Sequence, residues 1–165
     1  MQTSSPSPYP ASSDTSDAPM HRARGRVQRA RGVWGAVALL RADRVDHGVR
    51  AIESPALMQR LAASGLPLTV CPLSNVKLSV FRTLAEHNLV QLLRAGLKVT
   101  INSDDPAYFG GYLLKNYVET FAALPALTRD DAVALARHSL EASFAPAADR
   151  ARWLARLAEV AAAPF

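Results

Sequence analysis

Cysteine is nearly absent from this chain: one residue, Cys71, among 165. A single thiol excludes an internal disulfide and fits a reducing cytoplasm. Long hydrophobic runs are missing too. Gly35-Ala-Val-Ala-Leu-Leu40 falls far short of the roughly 20 apolar residues that span a bilayer. The first apolar run after the basic stretch starts too late and ends too soon for a secretory signal, so no membrane partner is expected. Nor is the body of the chain strongly charged. Of the formal net charge of +5, residues 1–32 contribute five Arg against two Asp (net +3), and the rest contributes fourteen Lys and Arg against twelve Asp and Glu (net +2). The basicity is that of an arm, which reads as a solvated segment rather than a nucleic-acid surface. The chain as a whole is 49% hydrophobic and 20% charged, the profile of one soluble domain long enough to bury a core.

Two regions follow. Met1 to Pro19 is rich in Ser, Pro and Thr, and His21 to Gly32 is Arg-rich with no apolar period, so residues 1–32 are expected to be a disordered arm. Periodicity starts at Val33, and residues 33–165 form the expected domain. Trp34, Val37 and Leu40 share one face of a helix over 34–41. Arg44-Val-Asp-His-Gly48, Leu66-Pro-Leu-Thr-Val-Cys71 and Leu97-Lys-Val-Thr-Ile-Asn102 read as strands. Between them lie a helix from Ser54-Pro55 to Gly65 and a short one capped by Asn88. Three further helices are expected at 112–123, 129–143 and 147–161, the second opened by the capping box Thr128-Arg-Asp-Asp131. Strands alternating with helices imply parallel βα units. Three such units do not close a barrel, so the chain is either a small doubly wound domain or part of something larger.

Polar residues gather where each strand ends: Asp46 and His47, then Ser74 and Asn75, then Ser103, Asp104 and Asp105. In a parallel barrel these ends share one mouth. Two adjacent carboxylates there are costly unless a cation or hydrogen-bond donors face them, and a divalent metal meets that need. Taken singly the motifs are weak. Asp-His-Gly is commonly structural, and Asp-Asp-Pro commonly starts a helix with Asp as the cap. Cys71 reads as a buried strand-end residue, and His21, His87 and His138 carry no ligand spacing.

The ordered combination is specific. Asp46-His-Gly-Val-Arg50, Cys71-Pro-Leu-Ser-Asn-Val-Lys-Leu78 and Asn102-Ser-Asp-Asp-Pro-Ala-Tyr-Phe-Gly-Gly-Tyr112 closely resemble the last three strand ends of the adenosine/adenine deaminase family, the wording being nearer the adenine deaminase branch. The resemblance covers about residues 33–161. It implies an α/β fold, the C-terminal part of a (β/α)8 TIM barrel with about three βα units plus C-terminal helices. It further implies a zinc (Zn2+) cofactor, a small-molecule 6-aminopurine as partner, and hydrolytic release of ammonia, converting adenine to hypoxanthine in preference to adenosine to inosine. On this reading Asp104 is a metal ligand, Asp105 binds the purine at N7, and His47 is catalytic, assisting deprotonation and placement of the attacking water. The resemblance assigns Ser74 and Asn75 no atomic role.

Parts of the family pattern are missing. The family draws two zinc ligands from a His-x-His and a third beside a His-Ala-Gly-Glu segment whose glutamate is the proton donor; neither motif occurs here. With one ligand in four and no acid, the chain is expected to be truncated and inactive alone, with residues 1–32 read out of frame or from a mis-assigned start. A non-catalytic interaction module derived from a deaminase is the competing expectation. Inward-facing Val70, Val99 and Ile101 are expected to lack cross-barrel partners, leaving the chain prone to aggregation.

Overall fold

The structure, a computed structural model, describes residues 30–38 and 42–164. In chain order the elements are α1 (Ala30–Ala38), β1 (Val45–Asp46), a 3-10 turn (Val49–Glu53), α2 (Pro55–Ser64), β2 (Leu68–Val70), α3 (Pro72–Lys77), a second 3-10 turn (Leu84–Glu86), α4 (Leu89–Arg94), β3 (Val99–Ile101), α5 (Pro106–Phe109), α6 (Leu113–Ala123), α7 (Arg129–Glu141) and α8 (Ala147–Ala162). The arm expected to be disordered lies outside the described residues up to position 29. Its last three residues, Ala30 to Gly32, already belong to α1, so helix precedes the first periodic residue by one turn. Residues 39–41 of the expected first helix lie outside the described residues.

The three strands pair in parallel in the order β1-β2-β3, with Val45 opposite Leu68 and Leu68 opposite Val99. Each strand lies beside its predecessor in sequence, so right-handed crossovers place the intervening helices on the same face of the sheet. A doubly wound sheet reverses direction at a switch point; this one does not. The fold is part of a parallel β/α barrel wall.

The two faces of the sheet differ. Val45, Leu68, Val70, Val99 and Ile101 are buried in one cluster with Leu57 and Leu61 of α2, Leu89 and Leu92 of α4, and Leu135 of α7. Each such leucine contributes about 1.5–3 kcal/mol through burial. The opposite face carries Asp46, Thr69 and Thr100 in register. Thr69 Oγ1 donates to Asp46 Oδ1 at 2.7 Å, and Asn102 Nδ2 donates to Thr100 Oγ1 at 2.7 Å. This corrects the expectation for Val70, Val99 and Ile101. They are 0–1% exposed and pack on the helices, because the alternation places the threonines, not the valines, toward the barrel interior.

Helix ends follow local chemistry. Ser54 accepts from Leu57 N–H with Pro55 at the first helical position, and Gly65 closes α2 in a left-handed conformation. The capping box at Thr128 and Asp131 forms as expected, and Asp131 also takes the Arg94 guanidinium (Nη2 to Oδ2, 2.7 Å). That guanidinium holds the Asp131 carboxyl well below the usual carboxylate range and ties α7 to α4. At α4 the expected cap takes another form: Asn88 Nδ2 donates to Val49 O at 2.7 Å, and the Leu89 N–H donates instead to His87 Nδ1. No helix among the described residues is long and apolar enough to cross a membrane.

Gly48 joins β1 to the first 3-10 turn at φ 68°. A Cβ there would lie 2.9 Å from Leu68 Cδ2, in the core. Gly48→Ala combines a left-handed backbone penalty with overpacking and is expected to destabilise the chain by about 2–4 kcal/mol. A lower urea midpoint at unchanged slope is the expected reading; an unchanged midpoint contradicts it.

Candidate active site

The strand ends converge as the polar residues suggested. His47 directly follows β1, Cys71 follows β2, and Asp104 lies three residues beyond β3. His47 (φ 65°) and Asp104 (φ 58°) both hold left-handed backbone conformations, which few non-glycine residues adopt and which concentrate at functional sites. These turns end the extended runs and bring an imidazole, a thiol and a carboxylate together, with one potential ligand atom from each lying within 4.8 Å of the others.

Asp104 is held at both oxygens. Ser74 Oγ donates to Oδ2 at 2.6 Å, and the Asp105 backbone N–H donates to Oδ1 at 3.0 Å. His47 Nε2 stands 3.8 Å from Oδ2, too far for a direct hydrogen bond, and both side chains keep partial access to solvent. His47 Nδ1 is buried and has no hydrogen-bond partner among the described residues. Cys71 is 5% exposed, and burial together with the Asp104 and Asp46 carboxylates pushes its thiol up to about 12.

Asp105 has two aspects. Its Oδ1 accepts from the Ala107 and Tyr108 N–H groups, making it the N-cap of α5, with Pro106 at the first helical position. The helix-start reading of Asp-Asp-Pro therefore describes Asp105 correctly. Its other oxygen carries no hydrogen bond among the described residues.

Ser74 had no assigned role from sequence, and the fold gives it one. It is fully buried on α3, and α3 is clamped from two sides. Asn116 Oδ1 accepts from Leu73 N–H, while Asn116 Nδ2 donates to Gly111 O and Tyr112 O. On the other side, Asn75 Oδ1 pairs with His87 Nε2 at 3.1 Å. Because His87 Nδ1 accepts from Leu89 N–H, the ring proton is assigned to Nε2, and Nε2 is the donor to Asn75. Burial lowers His87 to about 4, so the ring is neutral at pH 7. His138 Nδ1 lies 2.9 Å from Val99 O, a structural bond; His21 lies outside the described residues.

The donor set fits a zinc ion in part. Asp104 offers a carboxylate oxygen already held by an outer hydrogen bond from Ser74. Catalytic zinc sites take three protein ligands, and the family's histidine ligands are not among these residues.

Comparison with known proteins gives the arrangement its context. The adenosine deaminase family model matches residues 14–160. An adenine deaminase of Trichlorobacter lovleyi is 56% identical over 133 residues, covering 81% of this chain and 38% of that protein. The crystal structure of an adenine deaminase from Arthrobacter aurescens superposes with a TM-score of 0.77 at 41% identity, over 82% of this chain and 41% of the other. A Burkholderia ambifaria amidohydrolase solved with bound Zn superposes with a TM-score of 0.68 at 26% identity, over 82% of this chain and 40% of the other. The chain thus spans about 38% of the length of the curated relatives it matches. With the strand ends, the barrel wall and these matches in agreement, the chain belongs to the adenosine deaminase family.

Proposed function

We propose that this chain supplies the Asp104–Asp105 side of a zinc-dependent site that hydrolyses the 6-amino group of adenine, giving hypoxanthine and ammonia. The observation that carries the reading is the seating of Asp104. Its carboxylate is pinned by Ser74 and by the Asp105 N–H, opposite the His47 ring, at the mouth of a barrel wall.

Zinc, when bound, lowers the pKa of water toward about 7 and makes a nucleophile available at neutral pH. Asp104 would hold the metal. His47, at the end of β1, would accept the proton of the attacking water and keep that water aimed at C6. Asp105 would meet the purine at N7 through the oxygen not used in capping α5. A carboxylate accepts hydrogen bonds, so it pairs with an N7–H. Free adenine can shift its ring proton from N9 to N7 and meet that requirement, which a nucleoside substituted at N9 cannot do. The leaving amine needs N1 protonated, and no residue described here is placed to do so. The missing His-x-His and the proton-donating glutamate are assigned to the part of the relatives that this chain does not span.

The test is a chimera joining residues 30–165 to the upstream portion of the T. lovleyi relative. With zinc, the chimera is expected to deaminate adenine in preference to adenosine, while the chain alone releases no ammonia from either. An inactive, folded and zinc-loaded chimera would overturn the reading, as would a preference for adenosine.

A further inference from the structure

We propose that the outward face of α6 is a docking surface for a second copy of this chain, joined about a two-fold axis with the two α6 helices antiparallel. The proposal is independent of the deaminase reading, and its test measures mass rather than turnover.

Helix α6 departs from an ordinary surface helix, whose apolar stripe faces the core and whose polar side faces water. Its inward side holds Asn116 and Thr120, both wholly buried, beside the partly buried Tyr117 and Phe121. Its outward side carries Leu114, Val118 and Ala122, spaced i, i+4 and i+8 in a single exposed row. Leu114 is 75% exposed and Val118 59%. Of the nine exposed large hydrophobic side chains among the described residues, five fall between Tyr108 and Val118, so the exposure is concentrated and not scattered. Leu114 and Val118 also line a groove with Pro106, Gly111 and Tyr112, where α5 gives way to α6.

Two observations name the occupant. First, the face is self-complementary. Lys115 and Glu119 flank the row one position on, half-exposed and 3.5 Å apart (Nζ to Oε1). With antiparallel helices centred between positions 114 and 118, Leu114 of each copy meets Val118 of the other, and Lys115 of each meets Glu119 of the other. A two-fold interface requires that reciprocity: residue i contacts j, and j contacts i. A parallel pairing would instead set Lys115 against Lys115. Second, α6 rests on α3, on the 84–86 turn and on β3. Helix α3 and that turn both follow β2, the middle strand of the wall, whereas further strands would join at the outer edges of β1 and β3. The helix is seated toward the middle of the wall, where a second copy can reach it. Eleven residues of helix and the adjoining groove offer an interface at the small end of the range for specific complexes, so the dimer is expected to depend on concentration.

Sedimentation equilibrium of the 165-residue chain over a range of concentrations should show reversible association to twice 17.7 kDa and no further. Leu114→Glu places a charge in the centre of the contact and should weaken association by about 30-fold or more, the effect of a hot-spot residue. Lys115→Glu alone and Glu119→Lys alone should each weaken it, since like charges then face each other. An equimolar mixture of those two variants should dimerise again, because each new charge then faces its opposite across the axis. Unchanged circular dichroism in the variants separates lost association from unfolding, and if Leu114→Glu does not fold, the mixture decides. A chain that stays monomeric at every concentration overturns the proposal. So do open-ended assemblies, a dimer indifferent to Leu114→Glu, or a mixture that does not recover. The chimera carrying the upstream barrel should dimerise as well; a monomeric chimera beside a dimeric chain would assign the face to the upstream barrel and overturn the second copy as its occupant.

Discussion

In the chimeric barrel, Asp104→Ala is expected to lower turnover of adenine by well over 100-fold and to strip the protein of zinc, whereas Ser74→Ala should cost about 10–100-fold in metal affinity with the fold retained. The two numbers differ because the two residues stand at different removes from the ion. Removing the carboxylate deletes a ligand from a site that needs three. Removing the Ser74 hydroxyl leaves the ligand but releases Oδ2, held at 2.6 Å by that buried donor. Asp104 would then keep the Asp105 N–H on Oδ1 and rotate more freely about that bond. Ser74→Thr keeps a hydroxyl and should recover part of the loss. Zinc content by chelator competition, read beside turnover, separates the effects. Equal loss in both variants, or retention of zinc by Asp104→Ala, would show that Asp104 is not the ligand.

The second large effect is on stability. His87 is neutral and buried, its pKa lowered by burial from 6.5 to about 4. The unfolded chain binds a proton on this ring near pH 6.5, while the folded chain resists until about pH 4. Protonation therefore favours the unfolded state as the pH falls. His87's contribution to stability is complete above pH 6.5, declines between 6.5 and 4, and is lost below that. The full difference is about 3 kcal/mol, from 1.36 kcal/mol per pKa unit. Urea unfolding at pH 7.5, 5.5 and 4 should show it as a falling midpoint. His87→Gln, which can still donate to Asn75, should flatten the slope between pH 6.5 and 4. An unchanged slope in that variant would assign the acid sensitivity to other groups. Protonation adds a hydrogen at Nδ1, so the bond that acid breaks is the one accepted from the Leu89 N–H at the start of α4, while the Nε2 bond to Asn75 is kept.

Much of this was legible in the residues. The strand positions, the Ser54 and Thr128 caps and the convergence of three polar strand ends all depend on local pattern and short-range chemistry. What was not legible depends on pairing and tertiary contact. Helix α3, six residues long, is too short to announce itself and is held by Asn116 from across the fold, whereas α5 was signalled by its Asp-Pro start. The inner and outer faces of β2 and β3 were reversed because apolar runs such as Leu68–Val70 and Val99–Ile101 show which residues are buried but not which layer buries them. The threonines within those runs were the available signal. Ser74 was visible as a strand-end polar residue, yet its bond to a carboxylate 30 positions away follows only from the parallel register. Cys71 read as a buried strand-end residue, and it lies buried directly after β2.

Positions 47 and 104 have a meaning beyond the site itself. Both hold a left-handed backbone with a side chain attached, a conformation that costs about 1 kcal/mol or more at each. Glycine at either position would relieve that strain, so each is a place where stability and chemistry pull in opposite directions. A descendant that had given up catalysis would gain by drifting at these two positions first. This chain still carries histidine at one and aspartate at the other.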